Sequence, residues 1–143
     1  MTAIMAGPFA LACLLLVVAG VSKAAHPRST AAQRALGAVE VALGAVAFVH
    51  QNVLAAGAVA AMYAGFVLIA GRAKAKQRAC GCFGGDERLP STGHVVLNGV
   101  LAASALAAIA GQAEASAPIA YAGVTYAILM ATATYLGTAV MTQ

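Results

Sequence analysis

The sequence predicts an all-α integral membrane protein, a bundle of five transmembrane helices. Three observations predict it. Of 143 residues, 62% are hydrophobic and only 8% are charged, whereas a soluble domain carries about a quarter charged residues. Several uncharged runs each approach the roughly 20 residues needed to cross a bilayer. The basic residues sit beside those runs instead of being spread along the chain. The whole chain, residues 1–143, reads as a single transmembrane domain with an interfacial Cys-x-Cys loop at about 72–92.

The first span runs from about Ile4 to Val21, with Pro8 in its early part, where a helix best tolerates proline. Met1 to Met5 lacks a positive n-region, and Lys23 follows the apolar run, so this is read as a retained span, not a cleaved signal. Lys23, His26, Pro27 and Arg28 end it, and Ser29 or Thr30 caps the next helix. From Arg34 a second apolar region reaches Gly71. As one straight helix it would measure about 54 Å, against a hydrocarbon core of about 30 Å. The polar trio His50-Gln51-Asn52 near its middle divides it into a second span, about Ala35 to Val49, and a third, about Val53 to Gly71. A kinked helix or re-entrant pair is the competing reading.

Arg72, Lys74, Lys76 and Arg78 follow as a basic run, and then comes the cysteine loop. Pro90-Ser91-Thr92 closes the loop, with Ser91 or Thr92 as a cap. The fourth span is about His94 to Ala110, a polar connection carries Glu114, and the fifth span is about Ile119 to Val140. Gly57, Ala61 and Gly65 have the four-residue spacing of a close helix contact.

Charge supports this division. With five spans, all eight basic residues fall at one membrane face, as Lys23, Arg28 and Arg34 and then Arg72 to Arg88. The positive-inside rule then puts the N-terminus outside and the cysteine loop on the cytoplasmic face. It also accounts for the net charge of +4. There is no arginine-rich arm and no aromatic–basic interleaving, so nucleic-acid binding is excluded.

Chemistry concentrates in Cys80 and Cys82, one glycine apart. Such a pair can close a strained disulfide or exchange electrons with a partner. Arg78, Lys76 and Arg88 favour the thiolate, and a thiolate attacks best when its pKa lies near ambient pH. Gly81, Gly84 and Gly85 let the backbone turn sharply and leave the sulfurs open to a large partner. Two other readings stand beside this one. The loop can be a plain connection with unreactive thiols. It can also hold a metal with help from Asp86 or His94, although structural zinc sites want four ligands and wider cysteine spacing. No metal or cofactor site is assigned.

Cys13 lies within the first span and reads as a small buried hydrophobe. Glu40 is the one acid inside an expected span. An ionisable residue there is a functional candidate by default. It can pair with Lys23, a loop amide or the loop thiols, in a packing role or as proton acceptor during thiol exchange. Asn98 can hold the cysteine loop by hydrogen bonds. His50, Gln51 and Asn52 serve the outer hairpin.

Four segments resemble the methylamine-utilisation membrane protein MauE family, within the DoxX-like group. They are Gly20-Val21-Ser22-Lys23 with Pro27, Glu40-Val41-Ala42-Leu43-Gly44, Cys80-Gly81-Cys82-Phe83-Gly84, and His94 to Asn98. Leu97 stands where the family often has a basic residue, and His26 where it often has an acid. The resemblance implies a four-helix DoxX-like core plus one helix, in a bacterial inner membrane. It also implies a part in maturing the disulfide-rich small subunit of methylamine dehydrogenase, beside a thioredoxin-like protein. Cys80 and Cys82 would then exchange electrons with that protein or with a disulfide-containing client, and Glu40 would assist. Such maturation belongs outside the cytoplasm, whereas the charge rule puts the loop inside. The alternative is a non-catalytic accessory or structural subunit of a larger membrane complex, a reading that the short loops favour.

Overall fold

The computed structural model describes residues 3–78 and 90–110, with side chains from Gly7 onward. Four α-helices make up these residues: α1 (Ala3–Ala25), α2 (Ala31–Val49), α3 (Val53–Ala75) and α4 (Thr92–Ala110). All four are long and apolar enough to cross a membrane. Helices of 19 and 23 residues measure roughly 28 and 34 Å, which suits a core of about 30 Å. The expected fifth span, 119–140, and the segment holding Cys80 and Cys82 lie outside the described residues.

The division at His50-Gln51-Asn52 holds. The α2 helix stops at Val49 and α3 starts at Val53, with the Asn52 side chain accepting from the Ala55 amide at 2.8 Å. The helices run past the apolar stretches that announce them. The first continues beyond Lys23 to Ala25, the second begins at Ala31, and the third passes Arg72 and Lys74 to reach Ala75. Hydropathy reports only the hydrocarbon part of a helix, and long basic side chains let its ends extend into the interface.

Local chemistry explains the ends. Of the two candidate caps, Thr30 starts α2. Its hydroxyl accepts from the Gln33 amide at 3.2 Å, and its own amide donates to Gln33 Oε1 at 2.8 Å, a reciprocal capping box. The α3 helix closes with Gln77 in the left-handed region at φ 51° and the Arg78 amide donating to Ala73 O at 2.9 Å. This is a Schellman-type stop, with glutamine where glycine is usual. At α4 the Ser91 hydroxyl accepts from the His94 amide at 3.3 Å. Lys74 donates to Thr92 Oγ1, tying the end of α3 to the start of α4.

Short links at 26–30 and 50–52 make consecutive helices antiparallel neighbours. The tightest packing is α1 on α2, followed by α3 on α4, and these two hairpins join chiefly along α1 and α4. The closest approach depends on glycine. A Cβ on Gly20 would stand 2.4 Å from Gly37 O, one on Gly37 would stand 2.6 Å from Gly20 O, and one on Gly44 would stand 2.6 Å from Cys13 O. No real Cβ survives at those distances. The close seam is therefore Gly20 against Gly37, with Gly44 against Cys13, and not the Gly57-Ala61-Gly65 run. Gly65 meets nothing within 4 Å, and Gly57 meets only Ile109 at 3.9 Å.

The remaining interior is built largely from alanine, with Phe9, Leu16, Val59, Tyr63, Phe66 and Leu101 filling the wider gaps. Small faces suit a bilayer, where helices associate by close packing and not by water exclusion. Replacing Gly44 with Ala is expected to cost about 1–3 kcal/mol, the usual range for overpacking. Gly65→Ala, with open space at its Cβ position inside α3, should instead leave stability unchanged or raise it by up to about 1 kcal/mol, the helix-propensity gain of alanine over glycine. Unfolding of both variants in mixed micelles checks the contrast.

Candidate functional site

The inward stripe of α2 is Gly37, Glu40, Gly44 and Ala47, all buried. Two glycines and an alanine bring α1 close, and the one large residue among them is an acid. Glu40 is 0% exposed, and the charge that meets it is Lys23 of α1, itself 1% exposed. Lys23 Nζ donates to Glu40 Oε1 in a buried salt bridge. The other carboxylate oxygen, Oε2, has no hydrogen-bond partner among the described residues.

The path of the lysine is unusual. A Cβ on Gly37 would lie 3.1 Å from Lys23 Cβ, so the lysine stem sits level with Gly37. Its ammonium nevertheless meets Glu40, about one turn deeper along α2. A lysine near a helix end ordinarily snorkels out to water, whereas this one reaches into the bundle. Attraction to the carboxylate at low dielectric opposes the cost of removing both charges from water. Phe66 adds to it, with the ammonium 5.1 Å from its ring centroid. The Phe66 ring is held edge-on to Tyr63, at 6.0 Å between centroids and 84°. Tyr63 donates across the bundle to Ala12 O at 2.7 Å.

Beside the pair is a cleft of about 40 Å³ between α1, α3 and α4. Its surface is almost wholly apolar, made by four leucines with Ala19, Tyr63 and Phe66, and Lys23 and Asn98 also border it. Asn98 is buried, and its Nδ2 donates to His94 O at 2.7 Å. His94 Nδ1 stands 3.0 Å from the Ser91 hydroxyl.

Of the candidates read from the sequence, Glu40 meets Lys23, one of the three partners open to it. Asn98 sits on the same cleft as Lys23. Cys80 and Cys82, together with Asp86 of the metal reading, fall outside the described residues. Among the described residues no cluster of His, Cys, Asp and Glu is assembled to hold a metal. Cys13 is fully buried in the core, and Asn52 caps α3 at the turn between α2 and α3. The sequence groups Lys23 with the topology-setting bases at the end of the first span. The structure puts it inside. Two spacings carry its signal: Lys23 lies one helical turn after Gly20, and Glu40 one turn after Gly37. The ring contact with Phe66 and the Tyr63 cross-link have no signal in local spacing.

A family model described as Methylamine utilisation protein MauE matches residues 29–111. No curated protein and no solved structure matches the chain.

Removing one partner of a buried ion pair strands the other charge and typically costs about 3–5 kcal/mol, whereas an apolar replacement of both is often neutral. Lys23→Met and Glu40→Leu should each lower stability by that amount, and the double variant should recover most of it. A double-mutant cycle of detergent unfolding measures the coupling. Cys13 should resist maleimide in the folded protein and label only on unfolding.

Proposed function

The chain belongs to the methylamine utilisation protein MauE family, and from that premise we propose that it is a membrane thiol–disulfide exchange protein. The four apolar helices among its described residues and its family make it a multi-pass membrane protein. In the proposed reaction Cys80 and Cys82 exchange two electrons and two protons with a thioredoxin-like protein or a disulfide-containing client. One S–S bond forms as the other breaks. An attacking thiol must first lose its proton, and Glu40, with one carboxylate oxygen unpartnered among the described residues, is the acceptor. The membrane is the bacterial inner membrane.

One observation supports this reading above the others. Arg78 and Pro90 flank the cysteine segment, and the contact between Lys74 and Thr92 joins the two helix ends from which that segment departs. This is the end of the bundle at which Lys23 enters and turns toward Glu40. Exposed Arg28, Arg34, Arg72, Lys76 and Arg78 gather at the same end, where positive charge favours thiolate. The positive-inside rule assigns that end to the cytoplasm.

A second reading has its own observation. Gly65, Gly71 and Gly99 face open space, and Val39, Val46 and Val49 of α2 are exposed. These are surfaces that neighbouring helices of a larger complex can cover, with this chain as an accessory subunit.

The two readings separate on the cysteines. Cys80→Ser or Cys82→Ser alone should trap a mixed disulfide with a thioredoxin-like protein, and the double variant should trap none. Equal maleimide reactivity of both loop thiols with and without reductant, and no trapped adduct, would end the exchange reading. Stoichiometric association and full complex activity in the double variant would favour the accessory subunit. Impermeant thiol labelling in intact cells should leave Cys80 and Cys82 unmodified until the membrane is opened.

A further inference from the structure

We propose that the basic end of the bundle is a docking surface for a protein that presents an acidic face. That this protein is the thiol partner of Cys80 and Cys82 rests on the function proposed above. The sign of its face rests on the charges of this chain alone.

The surface is drawn from both hairpins. Arg28, in the link after α1, and Arg34, in the first turn of α2, are exposed. So are Arg72, Lys76 and Arg78 at the close of α3. The α1 and α3 helices end here, and α2 and α4 begin here. The bases therefore lie across the end of the bundle and not along one helix. The opposite end, at 50–52, carries no lysine or arginine.

Little offsets this charge. Among the described residues the acid is Glu40, which is buried and paired with Lys23. The side chains of Arg28, Arg72, Lys76 and Arg78 make no hydrogen bond or ion pair among the described residues. Arg34 donates to the Pro27 carbonyl at 3.5 Å, which leaves its charge uncompensated. Asp86 and Glu87 of the cysteine segment, with Arg88 beside them, still leave the bases in excess.

Topology does not require that excess. The positive-inside rule counts lysine and arginine, and acids contribute little to it. Exposed acids among these bases would leave the orientation intact and cancel the field. None is present among the described residues, so the patch has one sign. Such a patch speeds association with an oppositely charged partner by about 10–10³-fold, and like charge in a wrong partner is repelled.

Anionic lipid is the competing occupant, because bases beside a membrane helix attract it. Two placements favour a protein. Arg28 stands in a connection, and Lys76 and Arg78 follow the last residue of α3, outside the helices that fill the hydrocarbon core. The patch also spans two hairpins, an extent that a protein face covers at once and a single headgroup does not.

The test uses full-length wild-type protein in nanodiscs of zwitterionic lipid. It is mixed by stopped flow with a fluorescent, cysteine-free helical miniprotein that bears one acidic face. A twin with glutamine in place of those acids is the control. At low salt the acidic probe should associate about tenfold faster than its twin. The advantage should shrink severalfold at about 0.15 M salt, where the Debye length is about 8 Å. Arg28→Gln with Arg34→Gln, and separately Arg72→Gln with Lys76→Gln, should each remove part of the advantage. The quadruple variant should lose nearly all of it. All four positions are exposed, and unchanged helix content by circular dichroism confirms the fold of each variant. Equal rates for probe and twin, or an advantage that the quadruple variant keeps, would overturn the proposal. So would the lipid outcome, in which native mass spectrometry finds phosphatidylglycerol retained by wild type and lost from the quadruple variant while the acidic probe gains nothing over its twin. The probe has no thiol, so this experiment and the disulfide trap can fail independently.

Discussion

The Lys23–Glu40 pair is the constraint around which the first half of the bundle is arranged. A buried carboxylate in a membrane helix is tolerable only when an opposite charge reaches it, and the lysine reaches it only if the two helices nearly touch. That requirement falls on Gly20, Gly37 and Gly44, where the backbones approach so closely that a methyl group has no room. The glycines and the ion pair are two parts of one device. Gly37 gives space to the lysine stem, Glu40 fixes its head, and Gly44 brings the deeper part of α2 against Cys13 and Val17. Phe66 joins the other hairpin to this device through its ring face.

The second hairpin is bound differently. The α3 and α4 helices pack through alanines and a few large side chains, and their link to α1 includes the Tyr63 hydroxyl on Ala12. That hydrogen bond satisfies a phenol that would otherwise be stranded in hydrocarbon. Among the described residues the bundle has a polar end and a plain end. At the plain end a three-residue turn and an asparagine cap suffice. At the polar end lie the exposed bases, the ion pair, the cleft, and both flanks of the cysteine segment.

Much of the architecture was legible because it follows from one-dimensional quantities. The break at His50-Gln51-Asn52 was visible as polarity in a run too long for one crossing, and Thr30 and Ser91 were visible as capping chemistry. The site was legible in part. Glu40 stood out as an acid in a greasy helix with Lys23 among its three possible partners, but Lys23 by itself also reads as a boundary marker, because lysines at helix ends usually are. Its inward course depends on which face of α1 meets α2, and that is decided by the glycine seam in three dimensions. Gly57-Ala61-Gly65 had equally good spacing and makes no close contact. Among so many small residues, spacing alone does not tell a seam from a lipid-facing strip. The contact of Phe66 with Lys23 joins positions far apart in the chain, which local periodicity cannot report.

The neutrality of the buried pair has an electrical consequence. A single elementary charge displaced across an energised membrane exchanges about 2.3 kcal/mol per 100 mV with the field. Lys23 and Glu40 enter the bilayer on one hairpin as a zero-sum couple, so voltage exerts no net pull on their insertion. Either residue alone would make the α1–α2 hairpin a crude voltmeter, favoured in one polarity and resisted in the other. With both charges present, the pair adds no net voltage dependence of its own to the hairpin.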